Sequence, residues 1–213
     1  MKTQELVSLL SAGVAPVDPH VVARRFTWAL VIGGAGSIAL MALCYGLRPD
    51  LGEMLHTPLF WAKCALPFCL ALAALVVTTR LSRPGVAVRE GWAALAAPIA
   101  AVWIGALAAW YLTPPDARVA SLMGYTWRTC PLNIAFLSLP GIVTVFWAIR
   151  GLAPVRLRVA GAAGGLLAGA TATLAYCLHC PEMGVPFWAV WYLLGMALPT
   201  AVGALLGPKL LRW

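Results

Sequence analysis

Six apolar runs of about twenty residues, joined by short polar connections, constrain this chain more than any other feature. They run Trp28–Leu47, Leu59–Thr79, Gly91–Leu112, Cys130–Ile149, Val159–Cys180 and Pro186–Leu206. At 1.5 Å rise per residue, a helix of that length crosses the roughly 30 Å of hydrocarbon in a bilayer. The composition agrees: 62% of the residues are hydrophobic and 10% charged, against about half and a quarter in soluble domains. The expected fold is therefore an all-α integral membrane protein, a six-helix transmembrane bundle over residues 27–213, preceded by a segment spanning residues 1–26. None of the connections, such as RPDLGEMLHTP or PEMGV, has room for a further domain.

Charge predicts orientation, because juxtamembrane Lys and Arg are retained on the cytoplasmic side. One side of the bundle carries Lys2, Arg24, Arg25, Arg80, Arg83, Arg89, Arg150, Arg156, Arg158, Lys209 and Arg212; the other carries Arg48, Arg118 and Arg128. Both termini are therefore expected in the cytoplasm. The net charge of +8 is thus explained by topology, and its dispersal in short clusters argues against direct nucleic-acid binding. The acidic residues Asp50, Glu53, Asp116 and Glu182 fall on the outer side. Lys63, about one turn inside the second span, is expected to snorkel to the outer interface. The N-terminus lacks the pattern of a signal peptide and is expected to be retained.

Within residues 1–26, Leu6, Leu9, Leu10, Val14 and Val17 recur at helical spacing, with Thr3 as the expected N-cap and Pro16 and Pro19 ending the pattern. Such a short amphipathic helix can lie on lipid headgroups or present its leucine stripe to a partner's groove. The spans are rich in small residues, and Gly161, Gly165 and Gly169 form a ladder on one face of the fifth, which reads as close helix packing. Pro67, Pro98, Pro140 and Pro199 fall inside spans and are expected to bend or open them.

No enzyme constellation is recognisable, and no ionisable group stands at mid-membrane as a transporter requires. Chemistry falls to the six cysteines. Cys44, Cys64 and Cys69 lie in apolar runs, where a thiol packs as a small hydrophobe. Cys130 and Cys180 each precede a proline at the outer end of a span. The helix N-terminus and Arg128 favour a thiolate at Cys130, whereas Cys180, at a helix C-terminus, reads as its partner. The run Cys177-Leu-His179-Cys180-Pro-Glu182, together with Cys130, holds soft and borderline donors for an ion such as zinc or cadmium. No obligatory cofactor is indicated. An alternative is a membrane thiol-disulfide oxidoreductase working through Cys177 and Cys180.

The start MKTQELVSLL, the loop GLRPDLGEMLHTPLFW followed by Lys63, the segment from Cys130-Pro131 to LSLPG, the YCLHCPE turn and the ending GALLGPKLLRW together resemble the NrsF family, negative regulators of extracytoplasmic-function sigma factors. The resemblance covers essentially the whole chain. It implies a six-span inner-membrane anti-sigma factor that holds an extracytoplasmic-function sigma factor at the cytoplasmic face. It also implies that the family's paired cysteines correspond to Cys130 and Cys180, through which heavy metal or oxidative stress acts. His179, Pro181 and Glu182 fit the family's turn. For the sigma-binding face, the expectation is the helix bearing Leu6, Leu9, Leu10 and Val14, with the basic loops around it.

Overall fold

A computed structural model describes residues 2–12 and 18–212, and every regular element among them is helical. Five helices are long and apolar enough to cross a membrane: α2 (Val21–Cys44), α4 (Pro58–Leu81), α5 (Arg89–Leu112), α9 (Leu157–Cys177) and the composite Val185–Leu210. The last begins as α10 (Val185–Phe187), passes through a π turn (Trp188–Tyr192) and continues as α11 (Leu193–Leu210). The short elements are α1 (Thr3–Ser11), α3 (Leu51–Met54) and α6 (Pro115–Met123). The expected fourth span is two helices, α7 (Cys130–Leu137) and α8 (Leu139–Arg150), bent by 43°, so it is a sixth crossing only if the pair counts as one.

The bend has a local cause. Pro140 has no N–H to continue the ladder and its ring crowds the preceding turn, so the helix breaks at Ser138. Neighbouring hydroxyls serve the opened carbonyls: Ser138 Oγ donates to Ala135 O at 2.6 Å, and Ser37 Oγ of α2 donates to Leu137 O at 2.8 Å. Thr144 Oγ1 of α8 donates to Ala29 O at 2.8 Å, tying α2 and α8 together again.

The buried centre of the bundle is α9, with α2, α4, α7, α8 and α11 packed around it. Its small residues permit this. A Cβ on Gly161 would meet the Gly203 carbonyl, and one on Gly165 the Pro199 carbonyl, so α9 and α11 touch backbone to backbone. On Gly169 an added Cβ would fall 2.7 Å from Pro199 Cγ. The whole glycine ladder thus faces α11, as its spacing leads one to expect.

The connections gather at two ends. At one end, residues 45–57, 113–129 and 178–184 meet: Arg48 N donates to Leu178 O at 3.1 Å, and Glu182 accepts from residues 125 and 126. At the opposite end the Arg25 guanidinium stacks 5.1 Å from the Trp147 ring centre. In α1 the N-cap is Lys2 rather than Thr3, and its amide donates to the Glu5 carboxylate at 3.0 Å. No residue of α1 is buried; Leu6, Leu9 and Leu10 are 41%, 65% and 69% exposed. Val14 lies outside the described residues.

Candidate sensor site

The YCLHCPE turn is the meeting point of the first of these ends. Helix α9 ends at Cys177, and the next residues leave the helix because Pro181 cannot continue it. Each residue of the turn is then fixed by a different element. The His179 ring nitrogen Nδ1 lies 3.0 Å from Gly46 O, and the imidazole sits between Tyr45 and Tyr176, 5.3 and 5.7 Å away between ring centres. The Cys180 carbonyl accepts from two cations, Lys63 Nζ at 2.6 Å and Arg48 Nη1 at 3.3 Å. Glu182 Oε1 accepts from the Tyr125 amide at 2.6 Å, the Thr126 amide at 3.0 Å and the Thr126 hydroxyl at 3.2 Å. Trp188 Nε1 of the π turn donates to Glu182 O at 3.2 Å.

The carboxylate clamp needs a bare backbone opposite it. Gly124 has φ +56°, and a Cβ there would fall 2.5 Å from Glu182 Oε2. A glycine therefore lets the carboxylate close onto two successive amides, which are partial positive charges aimed at it.

Cys130 and Cys180, fifty positions apart in sequence, come together here. Both are free and fully buried, and the two thiols lie close enough to influence each other's ionisation. Thr129 caps α7, with Cys130 and Pro131 in its first turn. The charge distribution differs from the expected one. The Arg128 guanidinium is turned away over the Trp127 ring, 5.0 Å from its centre, while the ammonium of Lys63 lies on the Cys180 side. Hydrogen bonding from Cys130 and then the Lys63 charge hold the Cys180 thiol below its ordinary range, despite burial. The Lys63 ammonium at the Cys180 carbonyl thus favours negative charge at Cys180, which stands in the turn beyond α9.

Lys63 does not snorkel. It is fully buried, its Nζ 5.8 Å from the centre of the Tyr192 ring. Among the described residues no carboxylate lies within salt-bridge distance of it. The Tyr192 hydroxyl is the single buried side-chain polar atom without a hydrogen-bond partner among those residues. Arg48, 7% exposed, forms a fork with Asp50, 2.7 Å on each arm. This hydrogen-bonded pairing holds the Asp50 carboxyl below the usual carboxylate range.

The other donors go elsewhere. Cys177 neighbours Cys64 on α4, Glu182 is spent on amides, and His179 is engaged by Gly46. Cys177, His179, Cys180 and Glu182 are neighbours in sequence, and Cys130 stands near Cys180, yet no three His, Cys, Asp or Glu side chains among the described residues form a metal-binding group. What the structure assembles is a two-thiol site. Cys44 and Cys69 are exposed on the bundle's outer surface rather than packed within it.

Sequence reasoning missed Arg48, Lys63, Tyr192 and Cys64. A signal for Lys63 exists: the buried positions of α4 include Phe60, Lys63, Pro67, Leu70, Ala74 and Val77, a helical stripe on which Lys63 falls. The Cys64–Cys177 contact leaves no such trace.

The family model described as "Negative regulator of sigma F" matches residues 10–213. The chain is 46% identical to the probable anti-sigma-F factor NrsF of Azospira oryzae and 38% identical to the anti-sigma-F factor NrsF of Caulobacter vibrioides, in each case over the full length of both chains. No solved structure matches the chain.

Proposed function

We propose, on the premise that this chain belongs to the NrsF family, that it is an anti-sigma factor of the bacterial inner membrane, holding an extracytoplasmic-function sigma factor inactive until its paired outer cysteines are modified. Its relatives are named as regulators, not enzymes, and the oxidoreductase alternative through Cys177 and Cys180 finds no support. In this reading α7 and α8 form one bent span, giving six crossings with both termini in the cytoplasm. The asymmetry of Lys and Arg supports that orientation.

The observation that carries the sensing role is the buried Cys130–Cys180 pair. A disulfide forms when both thiols lose their protons and two electrons pass to an oxidant; a soft metal ion can instead bridge the two sulfurs, displacing the same protons. No third ligand is required for such a bridge. Either event replaces the thiol contact by a bond of fixed geometry. The turn cannot shift alone, since Cys180 and Glu182 hold α4, the first outer loop and residues 125–126. Displacement would travel along stiff spans to the opposite end.

There α1 offers an apolar stripe of Leu6, Leu9 and Leu10, continued in sequence by Val14, that is exposed among the described residues. We assign it, with the adjoining basic loops, to the sigma factor, consistent with helix-in-groove recognition of an acidic partner. The test replaces Cys130 and Cys180 separately by serine and follows sigma-dependent transcription with and without cadmium or an oxidant. The parent should respond and both variants should not. A parental response in both variants rejects the sensor. Deleting residues 2–12 should abolish sigma co-purification; unchanged capture would move the contact to the loops.

A further inference from the structure

At the end of the bundle opposite the thiols lies a cavity of about 510 Å³, bounded by the loop between α4 and α5 and by the start of α9. Four guanidinium side chains line it: Arg80, Arg83, Arg89 and Arg156, with Trp92 and Val155 as apolar wall. Only Arg80 has a carboxylate, Glu90 at 3.1 Å, which is itself largely in solvent. Among the described residues no acidic side chain pairs with Arg83, Arg89 or Arg156. Three exposed cations therefore line this cavity without a counter-anion among the described residues, screened by water and open to an anion that enters there.

The position defines the anion. Leu81 ends one apolar helix and Arg89 begins the next, so the cavity opens at the depth where span meets water. Trp92, 46% exposed in the first turn of α5, is the residue type that anchors at headgroup level. A free phosphate would satisfy the arginines but leave the wall of Trp92, Val86 and Val155 uncovered. A phosphodiester with acyl chains covers both. We infer that this cavity is a binding site for an anionic phospholipid, with cardiolipin, which carries two phosphates, fitting three unpaired arginines better than a singly charged lipid. The inference rests on the reading above that this end faces a bilayer surface. The site would fix the α4–α5 and α8–α9 connections beside the docking region, making sigma retention dependent on lipid composition.

The test uses the full chain in nanodiscs of phosphatidylcholine with and without one-tenth cardiolipin, reading retained lipid by native mass spectrometry after transfer to detergent. The parent should keep cardiolipin, and R83Q/R156Q, at two exposed positions, should lose roughly 30-fold in retention. R118Q/R128Q, at the other end, should behave as the parent. Equal retention by R83Q/R156Q overturns the site. So does displacement of cardiolipin by millimolar inorganic phosphate, which would make it a phosphate site. If R83Q/R156Q keeps cardiolipin yet fails to co-purify the sigma factor, the cavity is a protein contact and the lipid assignment falls. Sigma capture by the parent, measured in parallel, reports separately on the anti-sigma reading.

Discussion

Replacing Lys63 by methionine should leave the fold standing and blunt the sensor. The side chain is fully buried and donates one hydrogen bond of 2.6 Å to the Cys180 carbonyl. A buried hydrogen bond from a charged donor contributes about 1.5–3 kcal/mol. Against that, an ammonium held in the interior costs several kcal/mol in lost hydration. The carbonyl is not orphaned by the change, because Arg48 Nη1 still reaches it at 3.3 Å. Methionine keeps most of the volume, so the net stability change for Lys63→Met should lie within about 2 kcal/mol in either direction. Lys63→Ala also deletes three buried methylenes and should cost at least about 2 kcal/mol more, from the roughly 0.8 kcal/mol carried by each. Sensing should not follow this order but fall alike in both variants, since each removes the charge that favours a thiolate at Cys180. Once the thiol pKa lies above the ambient pH, each further unit is a tenfold loss of thiolate, and soft metals bind the deprotonated form. Thermal unfolding in detergent and a cadmium dose series on a sigma-dependent reporter read the two effects. Lys63→Met should shift the half-response upward by about tenfold at pH 7 with near-parental melting. An unmoved dose series would show that Lys63 only fills space, and melting as low as that of Lys63→Ala would show that its charge is structural.

Glu182→Gln keeps one acceptor for the Tyr125 and Thr126 amides but loses the charge, and should cost about 1–2 kcal/mol, seen as faster proteolysis within residues 113–129. Gly203→Ala sets a methyl against the Gly161 carbonyl and must part α9 from α11; a loss of about 3 kcal/mol or more is expected, while Gly105→Ala, whose nearest neighbour is 3.5 Å away, should melt like the parent. Asp50, whose carboxyl is held low by Arg48, stabilises the fold above the unfolded carboxylate range and loses that contribution as pH falls through its lower folded value. Asp50→Asn should therefore melt below the parent at pH 7 and converge with it in strong acid.

Span placement was legible because it depends on local composition. The apolar runs beginning at Leu59 and Gly91 fall within one or two residues of α4 and α5, and the glycine ladder named its own face. The Ser138 break was only half legible: Pro140 announced a disturbance, but the serine and threonine hydroxyls that stabilise a full bend come from sequence-distant packing. Lys63 was misread for a related reason. Snorkelling follows from a lysine's sequence position near a span end, whereas its burial depends on the Cys180 carbonyl lying across the bundle. The donors of the expected metal set do not gather into a group of three among the described residues, because short spacing along the chain does not put donors on one point. Cys177 is helical and turns to α4, while Glu182, past Pro181, turns to residues 125–126.

That divergence bears on how the turn can act as a switch. A cage holding Cys177, His179, Cys180 and Glu182 together would absorb an ion locally, with every ligand on one short segment and little strain passed outward. Here each residue grips a different element, so nothing within the turn can move without loosening a contact elsewhere. Moving a two-state bundle from mostly held to mostly released takes roughly 5 kcal/mol of differential interaction. Two charge-assisted contacts of the kind made by Lys63 and Glu182, at about 1.5–3 kcal/mol each, amount to that scale. In the proposed sensing role, bridging Cys130 to Cys180 would not have to drive the far end directly; breaking those two contacts would suffice. A variant with Lys63→Met and Glu182→Gln combined should therefore release sigma factor without any signal, whereas either substitution alone should retain it.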